Sequence, residues 1–250
     1  MTLPNTENSL WLCRYLQAPH ARVRLVCFPH AGGSASYFYP VAQALNPDID
    51  VIAVQYPGRQ NRRREPCLEN ISDIADHVHR ELRAEPAPVA FFGHSMGAIV
   101  AFEVARRMER DTGMGPAVLF ASGRRAPSSY REENIHQRDD AGVIAEIRAL
   151  GGTDSALLRD SEVLEMVLPA IRADYRAIER YTCPPGATIG TPVTVMTGTA
   201  DPRTSLAEAE AWCVHTTGRF TLLTYPGGHF FLQDHIPGIL TTIVTTLDHL

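Results

Sequence analysis

The stretch Val89-Ala90-Phe91-Phe92-Gly93-His94-Ser95-Met96-Gly97-Ala98-Ile99-Val100 decides how the rest of the chain is read. Val89 to Phe92 is a short run of strand formers, and Ala98 to Arg107 favours a helix and holds neither Gly nor Pro. Between them lies G-x-S-x-G, a glycine-flanked turn with one serine at its tip. The glycines have a steric purpose. Side chains two residues before and after a serine in a strained turn would crowd the strand against the helix. Such a turn also aims the first helical N–H groups at a point where negative charge can be stabilised. Five residues are a weak signal alone and also fit a plain strand-to-helix turn, so the surroundings must carry the reading.

Working outward, strands alternate with helices. Trp11 to Tyr15 alternates bulky and small or charged residues, as an opening strand does. Val23 to Phe28 is a stronger strand that runs into Pro29-His30-Ala31-Gly32-Gly33-Ser34. Ala35 to Leu45 predicts a helix with Phe38, Val41, Ala42 and Leu45 on one face, and Val51 to Val54 a fully apolar strand covered on both sides. Ile71 to Leu82 is amphipathic and helical, with His77 and His79 read as surface residues, and Ala117 to Ser122 is another buried strand. This alternation predicts an α/β fold with a mostly parallel, doubly wound sheet, and 250 residues suit one domain.

The alternation stops after Ser122 and resumes at Pro192-Val193-Thr194-Val195-Met196, a gap of about seventy residues that no ordinary connection needs. Helical pieces are predicted at Ala141 to Leu150 and, after a Gly151-Gly152 break, at Ser161 to Tyr181, kinked or divided at Pro169. Val143, Ile144, Ile147, Leu164, Val167 and Leu168 give these pieces an apolar face. The segment, about residues 126–185, reads as a helical lid inserted over a site; an added structural subdomain is the alternative. Beyond it come the turn Thr197 to Pro202, a helix near Leu206 to His215, a strand at Arg219 to Tyr225 and a last helix at Pro237 to Leu250.

Composition narrows the function. A formal charge of −5 argues against nucleic acid as a partner, and no apolar run approaches a membrane span. Met1 to Ser9 is polar and lacks the pattern of a signal peptide. Cys13, Cys27, Cys67, Cys183 and Cys213 are scattered, without a C-x-x-C pair, which suggests reduced thiols and a cytoplasmic protein. Cys27 reads as core filler, and no pattern for a metal or organic cofactor is found.

A serine nucleophile needs an adjacent base held by a third group. The strand, G-x-S-x-G turn and helix resemble the nucleophile elbow of α/β-hydrolases, in which the acid and the histidine follow the serine in chain order, each at a strand end. Asp201 follows the strand after the insert, and His229 follows the last strand in a Gly227-Gly228-His229 turn. Asp201 also suits a simple turn or helix start, and His235 competes with His229, which is preferred for its place directly after a strand and a glycine pair. His94 is read as packing beside the site. The oxyanion donors are the Met96 N–H and one from the loop after Val23 to Phe28, for which Ala31 is chosen, with His30 its neighbour.

At these residues the chain resembles a family. Pro29-His30-Ala31-Gly32-Gly33-Ser34, Tyr56-Pro57-Gly58-Arg59, Gly93-His94-Ser95-Met96-Gly97 and Gly227-Gly228-His229-Phe230-Phe231 together are similar to the type II thioesterases, stand-alone α/β-hydrolases that accompany polyketide synthases and nonribosomal peptide synthetases. The resemblance runs from about Trp11 to Leu250. It implies an α/β-hydrolase fold with a helical lid, a triad of Ser95, Asp201 and His229, and oxyanion donors Ala31 and Met96. It further implies hydrolysis of acyl groups from the phosphopantetheine arm of acyl- or peptidyl-carrier proteins, by a monomer. Carrier domains are generally acidic and the arm carries a phosphate, so Arg59, Arg62, Arg63 and Arg64 become candidates for docking. A solvated loop is the alternative for Arg62 to Arg64, and a structural role for Arg59. Two other functions stay open on the residues alone: a general carboxylesterase with the same triad, and a non-catalytic hydrolase-fold partner.

Overall fold

The parallel sheet expected from the alternation sets the architecture of the computed structural model, which describes residues 9–85, 88–151 and 161–249. The strands are β1 (Leu12–Cys13), β2 (Val23–Phe28), β3 (Ile49–Val54), β4 (Val89–His94), β5 (Leu119–Ser122), β6 (Val193–Gly198) and β7 (Phe220–Tyr225). They pair in the order β1-β3-β2-β4-β5-β6-β7, with β1 antiparallel to β3 and every other pair parallel. Residues 1–8, most of the polar start read as free of a signal peptide, lie outside the described residues. So do Gly152 and Leu250.

The buried strands β2 to β6 are covered on both faces, which is why their sequences are apolar almost without alternation. On one side, α2 (Ile71–Leu82) and α3 (Met96–Thr112) pack Ile71, Ile74, Val78, Ile99 and Phe102 against Val26, Phe91 and Leu119. On the other, α1 (Tyr39–Leu45), the turn before it and α7 (Ile236–Asp248) set Phe38, Leu45, Ile239 and Ile243 against Leu25, Val51 and Phe120. Helix α2 has the span its periodicity predicts, begun by Asn70, whose side chain accepts the Ser72 N–H at 2.7 Å. The segment predicted as one helix from Ala35 opens as a 3-10 turn, Ala35–Phe38, before α1 takes over with Pro40 in its first turn.

Some side chains depart from expectation. His79 is buried and hydrogen-bonded to Asp111 at 2.9 Å, and His77 stacks flat on the Trp11 ring. Both serve the packing between α2 and its neighbours. Cys27 is fully buried, as read.

The insert between β5 and β6 contains α4 (Asp140–Leu150) and α5 (Ser161–Glu179), and a short α6 (Leu206–Glu210) follows β6. Pro169 does not divide α5, which runs unbroken through it. Only the carbonyl at Glu165 loses its intrahelical donor there, and Glu165 is exposed, so water can replace the bond. The apolar faces of α4 and α5 meet each other through Val143, Ile147, Leu168 and Ile171, with Ile144, Leu164 and Val167 alongside.

Candidate active site

Parallel sheets place ligands beyond the carboxyl ends of their strands, where the chain reverses its direction of travel across the sheet. Here the chain leaves β2 outward to β3 and then returns to the other side of β2 as β4. The loop after β2 and the turn after β4 therefore flank one crevice. The turns after β5, β6 and β7 open on the same edge.

Ser95 sits between β4 and α3 with φ 54° and ψ −119°, a strained conformation for a residue with a side chain. Its N–H donates to the Ser122 carbonyl at 2.8 Å, tying the turn to β5. A Cβ on Gly93 would lie 2.3 Å from the Gly97 carbonyl oxygen, so the two glycines let strand and helix meet at this point. Met96 opens α3, and its N–H belongs to the first turn, which has no intrahelical acceptor.

His229 bridges the other two groups. Its Nε2 is 3.0 Å from Ser95 Oγ, and its Nδ1 is 2.9 Å and 3.1 Å from Asp201 Oδ2 and Oδ1. His229 is only 3% exposed, which keeps water from competing for that geometry. The two loops are fastened together by the Ala200 N–H, which donates to the Gly227 carbonyl at 2.8 Å. Asp201 Oδ1 also accepts the Arg203 N–H at 2.8 Å. His235, the competing histidine, instead bonds the Pro226 carbonyl.

Two further rings pack beside His229. His94 places Nδ1 3.0 Å from Ser122 Oγ, with its ring centroid 5.2 Å from that of His229. His30 stands edge-on to Tyr37, His94 and Phe230. Burial, then the nearby His229 and Arg59, holds the His30 pKa down to about 3, and burial holds His94 well below the usual range. Both rings are neutral packing partners at neutral pH.

Ala31 and Met96 line the same cleft as Ser95 and His229, and the Ala31 N–H meets no protein acceptor among the described residues. The far wall comes partly from the insert: Ile135, Ile147, Tyr175 and Ile178. Arg124, Glu133 and Arg203 bring charge to that wall. Arg203 links Glu133, at 2.8 Å, with Glu146 of α4, so the acid loop and the insert are clasped together. None of these three was singled out from sequence. The clue was their density: Arg124, Arg125, Arg131 and Glu133 crowd the start of the insert, and Arg203 lies two residues after the acid.

The arginine loop is corrected in part. Arg59 is buried and pairs with Asp174 of α5 at 2.6 Å and 2.8 Å. Arg62 is buried too, stacked over the Trp11 ring and bonded to the Gln55 carbonyl and Glu65. Neither presents its charge to a partner. Arg63 and Arg64 are exposed.

Strand order, elbow and residue placement define the α/β-hydrolase fold, with a serine, a histidine and an aspartate in hydrogen-bond sequence at the carboxyl edge of its sheet. The family model of the thioesterase domain matches residues 23–247, and the chain belongs to that family. It is 51% identical over 248 residues to the probable cadicidin biosynthesis thioesterase of Streptomyces griseus, covering 99% of this chain and 68% of that one. It is 49% identical to thioesterase PikA5 of Streptomyces venezuelae, over 92% of this chain and 83% of that one. Among solved structures, the type II thioesterase BorB from the borrelidin biosynthetic cluster superposes with a TM-score of 0.90 at 48% identity, covering 97% of this chain and all of that one. Among the described residues no helix is long and apolar enough to cross a membrane.

Proposed function

We propose that this chain is a type II thioesterase that hydrolyses acyl groups from the phosphopantetheine arm of acyl- or peptidyl-carrier proteins, using Ser95, His229 and Asp201. The observation that carries the mechanism is the bridge of His229, Nε2 to Ser95 Oγ at 3.0 Å and Nδ1 to Asp201 at 2.9 Å. Ser95 Oγ attacks the thioester carbonyl carbon while its proton passes to His229 Nε2. The carbonyl π electrons move to oxygen, and the Ala31 and Met96 N–H groups receive the resulting oxyanion. Asp201 keeps the proton on Nδ1 and steadies the imidazolium. Collapse expels the pantetheine sulfur, which takes the proton from His229, and leaves acyl-Ser95. A water, deprotonated by the same histidine, then releases the acid and restores Ser95.

The thiol is an easy leaving group, with an ordinary pKa near 8.5 against about 16 for an alcohol-like hydroxyl or water. Five free thiols are in keeping with a reducing, cytoplasmic setting. The test is mass spectrometry of an acyl-carrier protein incubated with the enzyme and with Ser95→Ala. The enzyme strips the acyl group, and the variant does so more slowly by roughly 10⁴-fold or more. Full activity in the variant would overturn the mechanism.

A further inference from the structure

The insert holds, as well as covers, the cleft. Asp174, in the C-terminal half of α5 and 1% exposed, accepts the Gly32 N–H at 2.7 Å. The same carboxylate takes both Arg59 terminal nitrogens, Nη1 at 2.6 Å and Nη2 at 2.8 Å. Arg59 Nη1 also donates to the Gly33 carbonyl at 3.0 Å, and Nε to the Pro57 carbonyl at 3.2 Å. Two consecutive residues of the loop after β2 are thus gripped, one by its N–H and the other by its carbonyl. Gly32 has φ +77°, and a Cβ there would sit 2.6 Å from Ile171 Cγ1, one turn before Asp174. Loop backbone and insert helix are in direct contact.

The pair is rigid for two reasons. A bidentate guanidinium–carboxylate fork fixes orientation as well as distance. Each ion, buried alone, would be costly, so each holds the other in place. The peptide bond ending in the Gly32 N–H directly follows the one that carries the Ala31 N–H. Peptide units are planar, so only two torsions, those of Ala31, separate the gripped group from the oxyanion donor.

We propose that Asp174, acting with Arg59, is a positioning residue that sets the direction of the Ala31 N–H, and that this part of α5 belongs to the catalytic frame and does not move as a cover. The proposal rests on the reading of Ser95 and its oxyanion donors given above. A donor misplaced by an ångström costs about 10²-fold in rate, so a loosened loop is felt in kcat. The insert's position between β5 and β6 in sequence thereby acquires a reason in chemistry.

The experiment compares the unaltered enzyme with Asp174→Asn and with the double variant Arg59→Met/Asp174→Leu. The double variant removes both charges and keeps apolar bulk, a replacement that buried ion pairs often tolerate. The readings are kcat and KM on a small acyl thioester, Tm, and inhibition by an alkyl boronic acid, which forms a tetrahedral adduct on serine. The expected result is a kcat lower by roughly 10- to 100-fold in the double variant, with KM within about threefold and boronate affinity down by the same factor as kcat. Asp174→Asn leaves the Arg59 charge buried and unpaired, so its Tm falls below that of the double variant and its kcat falls too. A double variant that keeps the kcat of the unaltered enzyme, whatever its Tm, would show that the pair does not set the donor, and would overturn the proposal. Amide exchange of Gly32 in the unaltered protein decides the matter should a variant not fold: protection like that of β2 supports the tie, and exchange at the rate of an open loop refutes it. Activity persisting in Ser95→Ala would fault the triad, and the exchange measurement would still judge the tie by itself.

Discussion

Gly97 and Phe28 touch so closely that a Cβ on the glycine would lie 2.0 Å from the phenylalanine's carbonyl oxygen. Helix α3 and strand β2 therefore meet backbone to backbone just before the loop that carries Ala31. Gly97→Ala must push them apart, and the displacement separates Met96 from Ala31. Overpacking of this kind costs about 1–3 kcal/mol of stability. Activity falls further, by about 10²-fold, since both oxyanion donors shift relative to the serine. Urea unfolding and kcat on a small thioester measure the two effects, and an alanine variant equal to the parent in both would disprove the packing argument.

Asp201 gives a sharper test of the histidine's role. Both carboxylate oxygens lie within 3.1 Å of His229 Nδ1, and one of them also accepts the Arg203 N–H. Asp201→Asn keeps the shape but offers an amide, which favours the wrong imidazole tautomer. The expected loss is about 10⁴-fold in kcat with Tm nearly unchanged. Labelling of Ser95 by a fluorophosphonate should slow in parallel. Undiminished labelling would mean that Asp201 does not govern the histidine.

The places of Ser95, Asp201 and His229 after strands were legible in sequence because strands of a covered parallel sheet announce themselves as apolar runs. Ser95, Asp201 and His229 could be assigned from chain order, and the structure puts them within hydrogen-bond reach. Arg59 and Arg62 were harder. A charged loop looks solvated unless the buried partner is known, and Arg59's partner lies 115 residues away. Asp174 did leave a trace: it falls on the face of α5 that also carries Ala170, Ile171, Ala177 and Ile178, all buried. A lone carboxylate on an apolar helix face asks for a partner. Pro169 does not divide α5, since the carbonyl it leaves without a donor, at the exposed Glu165, can bond to water.

His30 and His94 make the site acid-sensitive. An unfolded histidine titrates near 6.5, whereas folded His30 does so only near 3 and His94 well below its usual value, mainly through burial. Between those limits the unfolded chain binds more protons, so stability is full above about pH 6.5 and declines as pH falls toward 3. Each ring contributes a slope of about 1.4 kcal/mol per pH unit once the unfolded histidine is protonated. His30→Phe, which keeps a ring between Tyr37 and Phe230, should reduce the slope between pH 5.5 and pH 4 by about that amount. Urea unfolding at several pH values reads it, and an unchanged slope would mean that His30 is charged in the folded protein.

Arg63 and Arg64 are the members of the arginine loop that face solvent, so they bear the proposal that an acidic carrier domain is steered to this edge. Rim charges act mainly on association rate and are screened over about 8 Å at physiological salt. Replacing both by glutamate should lower kcat/KM for an acyl-carrier protein by roughly tenfold at low salt, because attraction becomes repulsion. Turnover of a short acyl thioester without a carrier should change little, since neither side chain lines the cleft. Raising the salt should slow the parent on the carrier substrate and bring it toward the rate of the reversed-charge variant. Equal salt responses for both substrates in the parent enzyme would remove electrostatic steering from the account and leave Arg63 and Arg64 as a solvated turn.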